Sequence, residues 1–325
     1  MRILFLLLGI LLTLSGYAQL QSPAQFLGYT IGERVTSHAR IVAYFEYLAS
    51  ASPKTMKLEH YGTSVEGRPL FVVYIASESL IANLAAVQKN NLALAQVGAE
   101  AGRLEGAPAI LWMSYNVHGN ETSSAEAAML TAYDLVNPAN SKSTAMLAHT
   151  VVVLDPCLNP DGTDRYANWY NSIVGAAYNP LRFAREHDEA WPGGRYNHYY
   201  FDLNRDWAWQ IQVESQQRVA LYNRWLPHVH VDFHEQGIND PYYFPPAAEP
   251  LHEVITPWQR SFQGDIGKFN AQYFDKKGWL YFTGERFDLF YPSYGDTYPI
   301  YSGAIGMTFE QAGNGSAGLG VITEN

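Results

Sequence analysis

His118 and Glu121 are separated by two residues, and an imidazole and a carboxylate at this spacing can face one point and share a divalent cation. They lie where an apolar run, Ala109 to Val117, gives way to an Ala-rich stretch, Thr122 to Val136, that has neither Gly nor Pro. The first reads as a buried strand and the second as the helix after it. The pair therefore sits on the turn at a strand's carboxyl end, where open α/β sheets place their ligands. Taken alone, it also fits a capping Glu and a turn His. A second segment, His228-Val-His230-Val-Asp232-Phe-His234-Glu235, alternates polar and apolar residues, so His228, His230, Asp232 and His234 share one face of a strand. His234, last before the Gly237 turn, is the expected third ligand, while His228 and His230 read as ordinary strand-face residues. Two His and one Glu, with a fourth position left for water, make a catalytic rather than a structural zinc set. Structural zinc usually brings cysteines, and the chain has only Cys157.

Such a site needs a proton carrier. Residues Gly303 to Glu310 read as an apolar strand ending in Glu310, followed by the Gly-rich run Gln311 to Gly320. A carboxylate at the end of a buried strand beside a metal suits general base work.

With these four residues in place, the sequence resembles the zinc carboxypeptidases of the carboxypeptidase A type. Asn159-Pro-Asp-Gly162, Asp202-Leu-Asn204-Arg205-Asp206, the Tyr-rich stretch Tyr291 to Tyr301 and Thr308-Phe-Glu310 carry the likeness in the family's order, over roughly residues 28 to 320. The resemblance implies one Zn2+ held by His118, Glu121 and His234, with Glu310 taking a proton from the attacking water and passing it to the leaving amine. It implies that Asn204 and Arg205 bind the substrate's terminal carboxylate, which a planar guanidinium accepts two oxygens at a time. Asp202 would orient His118. For the arginine that stabilises the oxyanion, the family pattern points to Arg195, with Arg165 and Arg185 as alternatives. For the tyrosine that closes over the substrate it points to Tyr298, with Tyr291, Tyr294 and Tyr301 as alternatives.

The elements that must position these residues alternate along the chain. Candidate helices are Ser37 to Ala49, Ser79 to Ala101, Thr122 to Val136, Glu214 to Leu226 and Thr256 to Lys276. Candidate strands are Leu70 to Ile75, Ala109 to Val117, Val151 to Leu154, His228 to Phe233, Trp279 to Phe282 and Ala304 to Phe309. This alternation predicts an α/β fold, a mixed and mostly parallel twisted sheet with helices on both faces. Residues 163 to 200 lack clear periodicity and read as a long functional loop. The family usually continues into a final helix beyond its catalytic Glu; this sequence stops about fifteen residues after Glu310, so either it is a fragment or its last layer is supplied differently.

Met1 and Arg2, the apolar run Ile3 to Leu14 and Gly16-Tyr-Ala18 read as a signal peptide over residues 1 to 18, leaving a single catalytic domain over residues 19 to 325. The apolar run is too short to span a bilayer of about 30 Å. Export to the periplasm or medium is the expected localisation. Without the leader the chain has 20 basic against 31 acidic residues, which argues against nucleic acid as a partner. One cysteine excludes an internal disulfide framework. Neither a Gly-x-Ser-x-Gly elbow nor His-Glu-x-x-His is present.

The leading expectation is a zinc metallocarboxypeptidase acting on peptides with a free carboxyl end. A zinc amidohydrolase of cell-wall peptides or N-acyl amino acids, and a binding module without turnover, are the alternatives. Since Ile300 to Gly306 contains no acid, the expected side-chain preference is apolar or aromatic.

Overall fold

The computed structural model describes residues 20–95, 106–313 and 320; the expected leader at residues 1–18 lies outside them. Its strands are β1 (Met56–Thr63), β2 (Pro69–Ile75), β3 (Ala109–Tyr115), β4 (Thr150–Asp155), β5 (Val229–Gln236), β6 (Tyr242–Tyr243), β7 (Ala248–Leu251), β8 (Tyr281–Phe282), β9 (Asp288–Leu289) and β10 (Ile305–Ala312). Eight of them form one sheet in the order β1-β2-β4-β3-β5-β10-β6-β8, and β7 pairs with β9 in a separate ribbon. The middle of the large sheet, β4-β3-β5-β10, is parallel throughout. Antiparallel pairs flank it, β1 with β2, β2 with β4, and β10 with β6.

The central strands read as continuous apolar runs because both sheet faces are covered. In β2, Phe71, Val73 and Ile75 enter one core, under the helices His38–Ala51 and Thr122–Val136. Val72 and Tyr74 enter the other core, with Val219, Tyr222 and Trp225 of the helix Val213–Trp225. Fully burying one such side chain contributes about 1.5 to 3 kcal/mol. The helix Pro257–Lys277 starts at a capping box formed by Thr256 and Gln259, and places Phe262 and Ile266 against β10.

Strand order reverses between β3 and β5. The chain leaves β3 for β4 on one side and returns to β5 on the other, which opens a crevice at the carboxyl ends of β3 and β5.

Several expected elements are corrected. The helix expected over Ser79 to Ala101 is two helices, Glu78–Ala82 and Leu84–Ala95, broken at Asn83, and residues 96–101 lie outside the described part. The strand expected over Trp279 to Phe282 is only Tyr281–Phe282. Part of the expected loop is helical, because Asn159 caps and Pro160 opens the helix Pro160–Ile173. β5 and β10 run past their apolar residues, so His234 and Glu310 lie inside strands rather than at their ends.

Candidate metal centre

The turn after β3 is shaped by Asn116, whose φ of 59° is left-handed and whose amide donates to the carbonyls of His118 (2.8 Å) and Glu121 (3.1 Å). Asn tolerates that conformation better than most residues. Gly119 lets the turn close on the next helix: a Cβ there would lie 2.2 Å from the Thr163 backbone nitrogen. Glu121 is then the residue that precedes the helix Thr122–Val136.

His118, Glu121 and His234 are all buried, and one ligand atom of each lies within 4.8 Å of the others. His118 Nδ1 stands 2.7 Å from Glu121 Oε1, and His234 Nδ1 stands 3.0 Å from Glu121 Oε2. The two far ring nitrogens are held by carboxylates, His118 Nε2 by Asp202 at 3.1 Å and His234 Nε2 by Asp232 at 3.0 Å. Carboxylates placed behind imidazoles in this way fix ring orientation at metal sites. The cluster also favours positive charge. Burial works against an imidazolium at His234, yet Asp232 and Glu121 raise its proton affinity well above the ordinary value. Burial likewise pushes Glu121 up, and His118 and His234 outweigh it, holding its carboxyl well below the usual range. Two nitrogens, one oxygen and a cation-favouring interior fit a zinc ion.

Glu310 is the register partner of His234 on the adjacent parallel strand. Burial pushes its carboxyl up to about 8, with Glu121, Asp232 and Asp296 adding to the shift and His234 opposing it. Arg195 stands on the other side of the cluster, its Nη1 3.7 Å from Glu121 Oε1 and its Nη2 3.0 Å from Asp202 Oδ2. The Asn159 amide holds the Arg195 carbonyl at 3.0 Å, which gives the Asn-Pro-Asp-Gly segment a part in the site. Burial pushes Asp202 up too, but His118, Arg195 and Arg205 hold it well below the usual carboxylate range.

These groups line a cavity of about 410 Å³, together with Asn204, Arg205, Tyr294, Asp288 and Asp296. A larger cavity, about 840 Å³ near Arg34, Arg40 and Tyr170, lies away from the cluster. The Asn204 side-chain oxygen accepts from Gly295 N–H at 2.8 Å, and the Arg205 guanidinium lies 4.5 Å from the Tyr294 ring centroid. Gly295 itself is confined, since a Cβ there would lie 2.1 Å from Asp232 Oδ2.

Tyr298 is not brought to the cavity, which corrects the sequence reading. It begins the short helix Tyr298–Tyr301 and packs inward on Trp207 (5.8 Å) and Tyr222 (6.5 Å). Tyr294, whose carbonyl accepts the Tyr298 N–H at 2.9 Å, is the tyrosine at the cavity. The alternatives to Arg195 are placed elsewhere: Arg165 braces the carbonyls of Gly193, Tyr196 and Asn197, and Arg185 lies on a separate 3-10 turn. Glu235 points away from the ligands, accepting from Ser123 N (3.0 Å) at the start of the helix after Glu121. Asp232 was read only as a strand-face residue; its place two residues before His234, on the same face, was the signal that it holds that histidine.

The profile of the zinc carboxypeptidase family matches residues 41–228. Among solved structures, carboxypeptidase A from Helicoverpa armigera superposes with a TM-score of 0.57 at 14% identity, over 96% of this chain and 71% of that one. Thrombin activatable fibrinolysis inhibitor gives 0.61 at 16% identity, over 92% and 72%. A metallo-carboxypeptidase from Burkholderia cenocepacia gives 0.56 at 15% identity, over 85% of this chain and 60% of that one. A search of curated protein sequences finds no match.

Proposed function

We propose that this chain, which belongs to the zinc carboxypeptidase family, removes single residues from the carboxyl end of peptides. The observation that carries the reading is the cluster itself: three ligands, Glu310 beside His234, and two arginines facing one cavity. His118, Glu121 and His234 would hold the zinc, which would supply a Lewis acid for the scissile carbonyl and for water. Glu310 takes a proton from the attacking water and passes it to the leaving amine, so one water is consumed and one peptide bond is broken. Arg195 stabilises the negative charge that grows on the carbonyl oxygen. Arg205, presented by the turn Leu203–Arg205, pairs with the substrate's terminal carboxylate while Asn204 donates beside it. Asp202 and Asp232 keep the two imidazoles turned towards the metal.

The cavity also supports a revised side-chain preference. The acid-free stretch Ile300 to Gly306 contributes none of its lining, whereas Asp288 and Asp296 both do. Burial and Asp232 push Asp296 up to about 7, and a cation in the cavity would relieve that cost. A cationic terminal side chain is therefore favoured over an apolar one. Export as one catalytic domain after the leader is the accompanying reading, supported by the apolar run Ile3 to Leu14. Among the described residues no helix is long and apolar enough to cross a membrane.

The test is digestion of a mixed peptide pool by zinc-loaded protein, read by mass spectrometry, with Glu310→Gln in parallel. Stepwise loss of terminal residues, Lys and Arg ends fastest, by the unmodified chain alone is the expected result. Internal cuts, or release of amino acids only from cell-wall peptides, would move the assignment to another zinc amidohydrolase.

A further inference from the structure

Directly beneath the metal cluster lies a layer of buried polar groups, of which the mechanism above uses only Asp232. Asp155 on β4 and Asp232 on β5 are both register partners of Ser114 on β3, so the three stand in a row across the sheet. Over them lies Arg218, from the helix Val213–Trp225, with 0% exposure. Its guanidinium carbon is 4.3 Å from the Trp207 ring centroid. Trp207 in turn reaches Asp232: the same point in space, a Cβ built on Gly295, lies 2.9 Å from Trp207 Nε1 and 2.1 Å from Asp232 Oδ2. The three nitrogens of Arg218, Asp155 Oδ1 and Asp232 Oδ1 make no direct hydrogen bond to another protein group. Tyr61 satisfies only the other Asp155 oxygen, at 2.9 Å.

An arginine held completely out of solvent is costly unless it answers to buried negative charge. Here the two carboxyls of the layer are that charge. Burial pushes Asp155 up to about 7, and Arg218 is the strongest influence pulling the other way. His230, beside the layer, is pushed down to about 3 by burial and stays neutral, so it offers no second cation. Apart from His234, which Asp232 already holds, Arg218 is the cation that answers to this layer among the described residues.

We propose that Arg218 is a positioning residue for the metal centre: stacked on Trp207, it balances Asp155 and Asp232 and keeps Asp232 turned onto His234 Nε2. Without it the burial of the two carboxyls is left unbalanced, Asp232 swings from the imidazole, and His234 loses its fixed orientation. This rests on the reading that His118, Glu121 and His234 bind zinc.

The experiment measures zinc affinity by competition with a chelator, without substrate, alongside the thermal midpoint of the metal-free protein. Arg218→Met is expected to weaken zinc binding about tenfold or more, in the range seen when groups behind metal ligands are removed. Arg218→Lys is expected to restore most of that affinity, and Arg218→Met added to Asp232→Asn to cause no further loss. Zinc affinity unchanged in Arg218→Met, with only the metal-free midpoint lowered, overturns the proposal, as does a full additive loss in the double variant. Should Arg218→Met not fold, Asp155→Asn decides: relieving the competing carboxylate is expected to hold or tighten zinc binding, and a tenfold loss overturns the idea. Zinc binding that follows this pattern in a chain that cleaves no peptide overturns the peptidase reading alone, while an unmodified chain that binds no zinc overturns both.

Discussion

Glu310 and His234 stand opposite each other in register on the parallel strands β10 and β5. The candidate base is thus placed against a candidate ligand by the backbone ladder of the sheet rather than by a loop. A ladder of that kind leaves little freedom for the carboxylate to drift from the metal, and proton transfer is sensitive to such placement.

Replacing Glu310 by Gln keeps the shape and removes the proton carrier. Turnover of a good peptide substrate is expected to fall about 10²- to 10⁴-fold, while zinc affinity stays within a few-fold of the unmodified protein. Retention of more than a tenth of kcat would assign the base to another group.

Metal removal should be visible in stability as well as in activity. A ligand present at about 1,000 times its Kd stabilises the folded state by about 4 kcal/mol. Chelation is therefore expected to lower the melting midpoint of the unmodified chain and to leave His234→Ala unmoved, a comparison that calorimetry with and without added zinc makes directly.

The two cavity arginines should separate in steady-state kinetics. Arg195, 3.7 Å from Glu121 Oε1, is proposed to face the reacting carbonyl, so Arg195→Ala is expected to lower kcat about 10²- to 10³-fold. Arg205 lies further out on Tyr294, and Arg205→Ala is expected chiefly to raise KM, tenfold or more, for substrates with a free terminal carboxylate. Amidated peptides should show no such response to Arg205→Ala, and an equal KM rise on them would falsify the carboxylate assignment.

A pH effect on stability is expected from His38, which lies away from the cavity. It is buried, its Nε2 has no protein partner, and burial pushes its pKa down to about 4, with Asp164 opposing. The unfolded chain, with an ordinary value near 6.5, therefore binds a proton before the folded chain does. The stability that depends on His38 is fully present above about 6.5 and is lost as pH falls towards about 4, a decline of about 3 kcal/mol. Urea unfolding across that interval should be distinctly less pH-dependent in His38→Gln, and parallel curves for the two proteins would count against the account.

The candidate ligands were readable because their types are rare and their neighbours regular. His118 and Glu121 fall between a continuous apolar run and an uninterrupted helix, and His234 follows a strict alternation; each pattern reports the backbone directly. The strand ends were misread for a related reason. β5 and β10 continue through His234 and Glu310 because main-chain hydrogen bonds between strands do not depend on side-chain polarity, whereas hydropathy stops at the first charged residue. β1 escaped notice because an edge strand, Met56–Thr63, shows water one side and mixes Lys, Glu and His into its pattern. Tyr298 was misplaced because spacing in a Tyr-rich stretch gives no direction. The turn through Gly295 aims Tyr298 into the core and leaves Tyr294 at the cavity. Arg218 could not be assigned at all, since its proposed role depends on Asp155 and Asp232, residues brought beside it by two different strands.

The position of β10 has a consequence for biosynthesis. It is the last described strand to leave the ribosome, yet it is inserted between β5 and β6, inside the sheet. A nascent chain that has emerged only as far as residue 304 already carries His118, Glu121 and His234 but lacks Glu310. On the proposed mechanism, the order of synthesis thus makes metal capture an earlier possibility than hydrolysis.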